Sequence, residues 1–195
     1  MDVSQLIAPT SGALPFGFLI GVSLLRFAQS VDRPRAIIDA YLAWAIISYS
    51  ATEVFGFIHQ IALLPFLILW TAADAWLLYQ LWKQGVRVGN FLHFRVSIPL
   101  VIVAIVLAIT LFIALTAAPN NWDSQTYHLP RIEHWIQDRS LEYYPTSIGR
   151  QNDLGIVAEI LLLQTRILSK SDFYYLLIQW VSMICSIAAV FRITQ

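Results

Sequence analysis

Charge is what this sequence has least of: 12% of its residues are Asp, Glu, Lys or Arg, about half the share usual in soluble domains. Neither sign prevails, since 12 Lys plus Arg stand against 12 Asp plus Glu, so there is no basic footprint for nucleic acid and no acidic tail. Cysteine is nearly missing too. Cys185 is the single one and lies in an apolar run, which excludes an intramolecular disulfide and any CxxC or Cys/His zinc site. What is abundant is hydrophobic: 58% of the 195 residues are apolar.

These residues come in runs. Val96 to Ala118 is 23 residues without a charge, enough at about 1.5 Å per residue to cross about 30 Å of hydrocarbon. Phe173 to Phe191 is a second uncharged run of 19 residues, and Ile61–Trp82 and Ala36–Ile58 are long enough to cross as well. Leu14 to Leu25 lacks the basic segment that precedes a signal-peptide core and reads as a retained span. Leu154 to Leu168, with Glu159 and Arg166 inside it, fits a tilted span, a re-entrant segment or an interfacial helix. The expected fold is all-α and polytopic, with about six transmembrane helices in a lipid bilayer. Residues 1–95 would form a three-span segment and residues 96–195 the segment carrying the outer loop.

With six spans, Arg26, Arg33, Arg35, Lys83, Arg87, Arg95, Arg166 and Lys170 fall on one side. Arg131, Arg139, Arg150 and Arg192 fall on the other, so the positive-inside rule turns loop 119–153 away from the cytoplasm, with both termini outside. If Leu154–Leu168 does not cross, the C-terminus moves inside and the loop stays where it is.

The loop has 35 residues, too many for a mere connection. It holds Trp122, Tyr127, Trp135, Tyr143 and Tyr144, residues that settle at membrane interfaces. From Leu129 a helical period begins: Leu129, Ile132, Trp135 and Ile136 share one face, Arg131, His134 and Asp138 another, and Pro130 suits the first turn. This predicts an amphipathic helix lying along the outer leaflet. Asp123 stands just before it and just past the strongest span, at the water-lipid boundary.

Asp123, the aromatic Tyr127 four positions on, and the Arg131–Asp138 helix together resemble the glycosyltransferase C superfamily, in particular the protein O-mannosyltransferase and aminoarabinose transferase branch. The resemblance covers roughly Val96 to Arg192, and Ser124 stands where many members carry a second acid. It implies a membrane enzyme transferring a sugar from a polyprenyl phosphate to an acceptor at the outer face, without a covalent intermediate and with inversion at the anomeric carbon. Such enzymes have about twice as many spans. The chain is therefore expected to be the N-terminal part of one, or a subunit whose partner supplies the missing spans. A bacterial inner membrane, with the loop in the periplasm or exterior, fits that resemblance.

Each part of that chemistry has a candidate. Asp123 is the general base by resemblance, and Trp122 beside it would shield the carboxylate from water and favour its protonated form. His128 is a second proton-handling candidate. Arg131 and Arg150 suit a phosphate through their planar forks, and Trp122 and Tyr127 suit the sugar. The same residues also read as a helix cap, headgroup contacts and interfacial anchors. His128 and His134 are six apart, on different helix faces, so neither a metal nor another cofactor is called for.

Glu53, Asp74 and Glu159 lie inside expected spans, where a charge costs several kcal/mol unless paired or protonated. Hydrogen bonding between spans accounts for them. So would a proton-coupled transporter using Glu53 and Asp74, and a non-catalytic assembly subunit is a third possibility. Glu159 and Arg166, seven apart, would form one polar seam.

Overall fold

The computed structural model describes residues 10–29, 31–86 and 97–194, and these are all-helical. Five long helices run lengthwise: α1 (Leu14–Ala28), α2 (Arg33–Phe57), α3 (Leu63–Lys83), α4 (Ile98–Thr116) and, last in the chain, α8 (Tyr175–Ile193). Between α4 and α8 lie a π-helical turn (Ser124–His128), α5 (Leu129–Asp138), the short α6 (Arg150–Asp153) and α7 (Val157–Ser169). Three helices, α3, α4 and α8, are long and apolar enough to cross a membrane, and α1 is a shorter apolar helix. Arg87, Arg95 and Val96, used above for topology and for the start of a span, lie outside the described residues.

The long helices alternate in direction. Asp39 near the start of α2 holds Arg26 near the end of α1 at 2.6 Å, and Asp32 at the start of α2 approaches Arg192 at the end of α8 at 3.9 Å. At the opposite end the backbone N–H of Ile61 donates to Arg139, and Gly56 lies against Leu141, so the loop caps that end. Asp32 caps α2 by accepting from the Arg35 N–H, with Pro34 in the first turn.

α2 has 25 residues and carries a stripe at every fourth position: Ala36, Ala40, Trp44, Ser48, Thr52 and Gly56, all buried. Trp44 apart, the stripe is small, which lets α1, α7 and α8 approach α2 closely. α1 does the same toward α3, where Gly17 faces Asp74 and Gly21 faces Leu77.

α7 corrects the six-span expectation. It has 13 residues, about 20 Å at 1.5 Å per residue, so it falls short of a bilayer. Nine of those 13 are buried in protein, packed by α2, α3, α5 and α8. Its polar residues reach neighbouring helices. Gln164 donates to the Ser48 carbonyl at 2.7 Å and to Thr52 Oγ1 at 2.8 Å, and accepts from Trp70 Nε1 at 2.8 Å. Ser11, just ahead of α1, donates to the Leu168 carbonyl at 2.6 Å.

Three further expectations change with it. Arg166 pairs with Glu133 of α5 at 2.7 Å, at the loop end, while Arg192 sits at the other end beside Asp32, so these two arginines exchange sides. Glu159 and Arg166 do not form one seam, because each binds a different residue of α5. α5 itself does not lay its apolar face on lipid. Ile132 and Trp135 are buried in the protein core, with Leu129 and Ile136 packed against the same cluster.

Candidate functional site

The loop helix starts earlier than its sequence period predicts. Helical backbone begins at Trp122, the Asn121 side chain accepts the Ser124 N–H at 2.7 Å, and the π-helical turn carries the chain into α5. Pro130 explains the turn: it has no N–H, and its ring crowds the carbonyl four residues back, which a locally wider helix relieves. That carbonyl, on Thr126, instead accepts from Gln151 Nε2 at 2.8 Å.

Gln151 ties the loop together. Its buried side-chain oxygen accepts from Tyr144 and Thr146 at 3.2 and 2.8 Å, and its own carbonyl accepts from Arg131 Nε. Arg131 is fully buried. Its other N–H groups donate to the carbonyls of Arg150 (2.7 Å), Leu154 (3.1 Å) and Gly155 (3.4 Å) and to Glu159 (2.9 Å). The sequence reading missed both Gln151 and Gln164. The available signal was a proline inside a helix-forming run, which implies an unpartnered carbonyl at Thr126 and hence a donor elsewhere.

The candidate residues take distinct places. Asp123 is exposed, and the buried Tyr127, one turn on, directs its hydroxyl at the Asp123 carboxylate. Burial, then the hydrogen bond and charge of Asp123, raise the Tyr127 phenol above its ordinary range, with the nearby Arg150 guanidinium working the other way. Asp123 and Arg150 thus both act on the Tyr127 phenol. Trp122 is 78% exposed, so it does not shield Asp123 as expected. Tyr127 is buried, with its ring 4.2 Å from that of His128, so it presents little surface to a sugar.

Glu159, also fully buried, joins the loop to α7. One of its oxygens faces both Arg131 (2.9 Å) and His128 Nδ1 (2.8 Å). Glu53 and Asp74 sit elsewhere and apart. Glu53 is in the last turns of α2 at the loop end, not deep in a span, because α2 continues only to Phe57. Asp74 lies midway along α3 against Gly17. The two do not meet as an acid pair.

Two cavities flank the Arg131–Glu159–His128 chain. One, of about 470 Å³, lies between the π-helical turn, α7, α8 and α2. Asn121, Ser124 and His128 supply its polar side, and Leu161, Leu162, Leu176 and Ile178 its apolar walls. From Tyr175 to Ser182, both lining it, is about 10 Å along α8. The other cavity, of about 370 Å³, is lined by Glu53, Trp135, Tyr143, Asn152 and Asp153, with Arg131 at its back. Among the described residues no three His, Cys, Asp or Glu side chains gather as a metal-ion group.

Comparisons with protein-family models, with curated proteins and with solved structures return no match for this chain. Among the described residues the chain is all-helical, with three helices long and apolar enough to cross a membrane.

Proposed function

We propose that this chain is a membrane glycosyltransferase moving a sugar from a polyprenyl phosphate to an acceptor hydroxyl at the outer water-lipid boundary. The observation that carries the reading is the placement of the exposed Asp123 among Asn121, Ser124 and His128, the loop residues that wall an amphipathic cleft. A water-exposed carboxylate can take a proton from an acceptor arriving from solution. An apolar cleft with one polar side suits a lipid whose reactive group is at its head.

In this reaction the acceptor hydroxyl gives its proton to Asp123 while its oxygen bonds the anomeric carbon. The bond from that carbon to the phosphate oxygen breaks, and the lipid phosphate leaves with the electron pair. Attack from the face opposite the phosphate inverts the configuration. The reading places the loop in the periplasm of a bacterial inner membrane.

Asp123→Asn, assayed for sugar transfer in native membranes, tests this. Because Asp123 is exposed, insertion and folding should persist while transfer falls by about 10²–10⁴-fold. Unchanged transfer removes Asp123 from the mechanism.

A further inference from the structure

The amphipathic cleft contains a wall that an anion can use, and it is not an arginine. None of the residues lining the cleft is Lys, Arg, Asp or Glu, so His128 is the one lining side chain able to carry a positive charge. The two arginines the sequence offered for a phosphate are elsewhere. Arg131 directs its donors into carbonyls and Glu159, and Arg150 is exposed near Tyr127 without lining the cleft.

The chemistry of His128 follows from what holds it. Its Nδ1 is 2.8 Å from Glu159, and an ionised carboxylate only accepts, so Nδ1 carries the hydrogen and Nε2 is left over. Arg131 and Glu159 cancel each other's charge in the interior. The linked Arg131, Glu159 and His128 side chains thus set two basic groups against one carboxylate, and His128 is the one of the three that lines the cleft. Two further donors are adjacent. The side-chain oxygen of Asn121 is taken by the Ser124 N–H, which leaves its amide nitrogen to donate, and the Ser124 hydroxyl lines the same wall.

We propose that His128 is the phosphate-docking residue of this cleft and that the occupant is a single-chain lipid phosphate, with Glu159 as the positioning residue behind it. The lipid tail lies along Leu161, Leu162, Leu176 and Ile178, and the headgroup takes donors from His128 Nε2, Asn121 and Ser124. The lipid class of the occupant rests on the reading under Proposed function; the anion site at His128 stands on the geometry alone.

The test is calorimetry on the full chain in phosphatidylcholine nanodiscs, with farnesyl phosphate, farnesol and inorganic phosphate as probes. Farnesyl phosphate should bind about tenfold or more tighter than farnesol, and inorganic phosphate should not register. His128→Gln should erase that preference and leave farnesol affinity unchanged. In the unsubstituted protein the ring ¹⁵N shifts of His128 should report a protonated Nδ1 and move with farnesyl phosphate but not farnesol. A preference that survives His128→Gln overturns the assignment, as does equal binding of farnesol, or inorganic phosphate binding as tightly as the lipid. Should His128→Gln also lose farnesol, the ring shifts decide: no movement with farnesyl phosphate refutes the site. Asp123→Asn separates the two proposals, because it should abolish transfer while leaving farnesyl phosphate binding intact.

Discussion

α4 and α7 are both apolar helices that follow one another across the loop, and they meet opposite surroundings. α4 leaves almost its whole length uncovered, with Ile98, Ile102, Ile105, Ile109 and Phe112 exposed, and packs chiefly on α8. α7 is enclosed on nearly every side. Their polar residues differ in the same sense. Thr110 and Thr116 of α4 bond only carbonyls of their own helix, whereas Glu159, Gln164 and Arg166 of α7 each reach another segment. Hydropathy says which side chains tolerate an apolar setting; it does not say whether lipid or protein provides it. The sign of a protein-covered helix is polar residues with distant partners.

That contrast can be broken first at Glu159. Glu159→Leu leaves the Arg131 guanidinium buried without its counter-charge and should cost about 3–5 kcal/mol, read as unfolding in mixed micelles. A change no larger than that of an α4 surface substitution would mean that α7 is not the enclosed helix described. Gln164→Leu is the next largest. It strands the buried Trp70 Nε1 and removes one bond each from the Ser48 carbonyl and Thr52 Oγ1, which keep their bond to each other, and should cost about 1–3 kcal/mol in the same assay.

Much of α4 and α8 was legible because their lack of charge leaves few alternatives. The helical period of the loop was legible too, from Leu129, Ile132, Trp135 and Ile136. What covered these residues was not. Gln164 is more than a hundred residues from Ser48, and no local pattern announces that bond. The fourfold stripe on α2 is a signal for a packed face, since small residues at that spacing invite neighbouring helices, but the length of Ala36–Ile58 alone reads as one more span. At the site, Asp123 and Tyr127 were readable as a one-turn pair. The burial of Arg131 was not, because its partners are carbonyls of a turn twenty residues on.

Smaller effects sharpen the comparison. Burial raises the Tyr144 phenol above its ordinary value of 10.0, as it does Tyr127, while α4 has no ionisable group at all. In the unfolded chain these phenols ionise from about pH 10, whereas the folded loop keeps them protonated. Their contribution is therefore fully present below pH 10 and is lost as pH rises through the folded values. Tyr144→Phe should flatten the alkaline fall in stability of the unfolding midpoint, and an unchanged slope would mean that the loop does not bury this phenol. Least of all should Thr110→Val matter, within about 0.5 kcal/mol, because its hydroxyl serves only its own helix.

Transfer at the outer face requires Asp123 to stand at the water-exposed end opposite the α3 C-terminus. In a Cys185→Ser background, a membrane-impermeant maleimide applied outside intact cells should label Trp122→Cys, and should label Lys83→Cys only after permeabilisation. The reverse pattern, Lys83→Cys labelled from outside and Trp122→Cys protected, would contradict it.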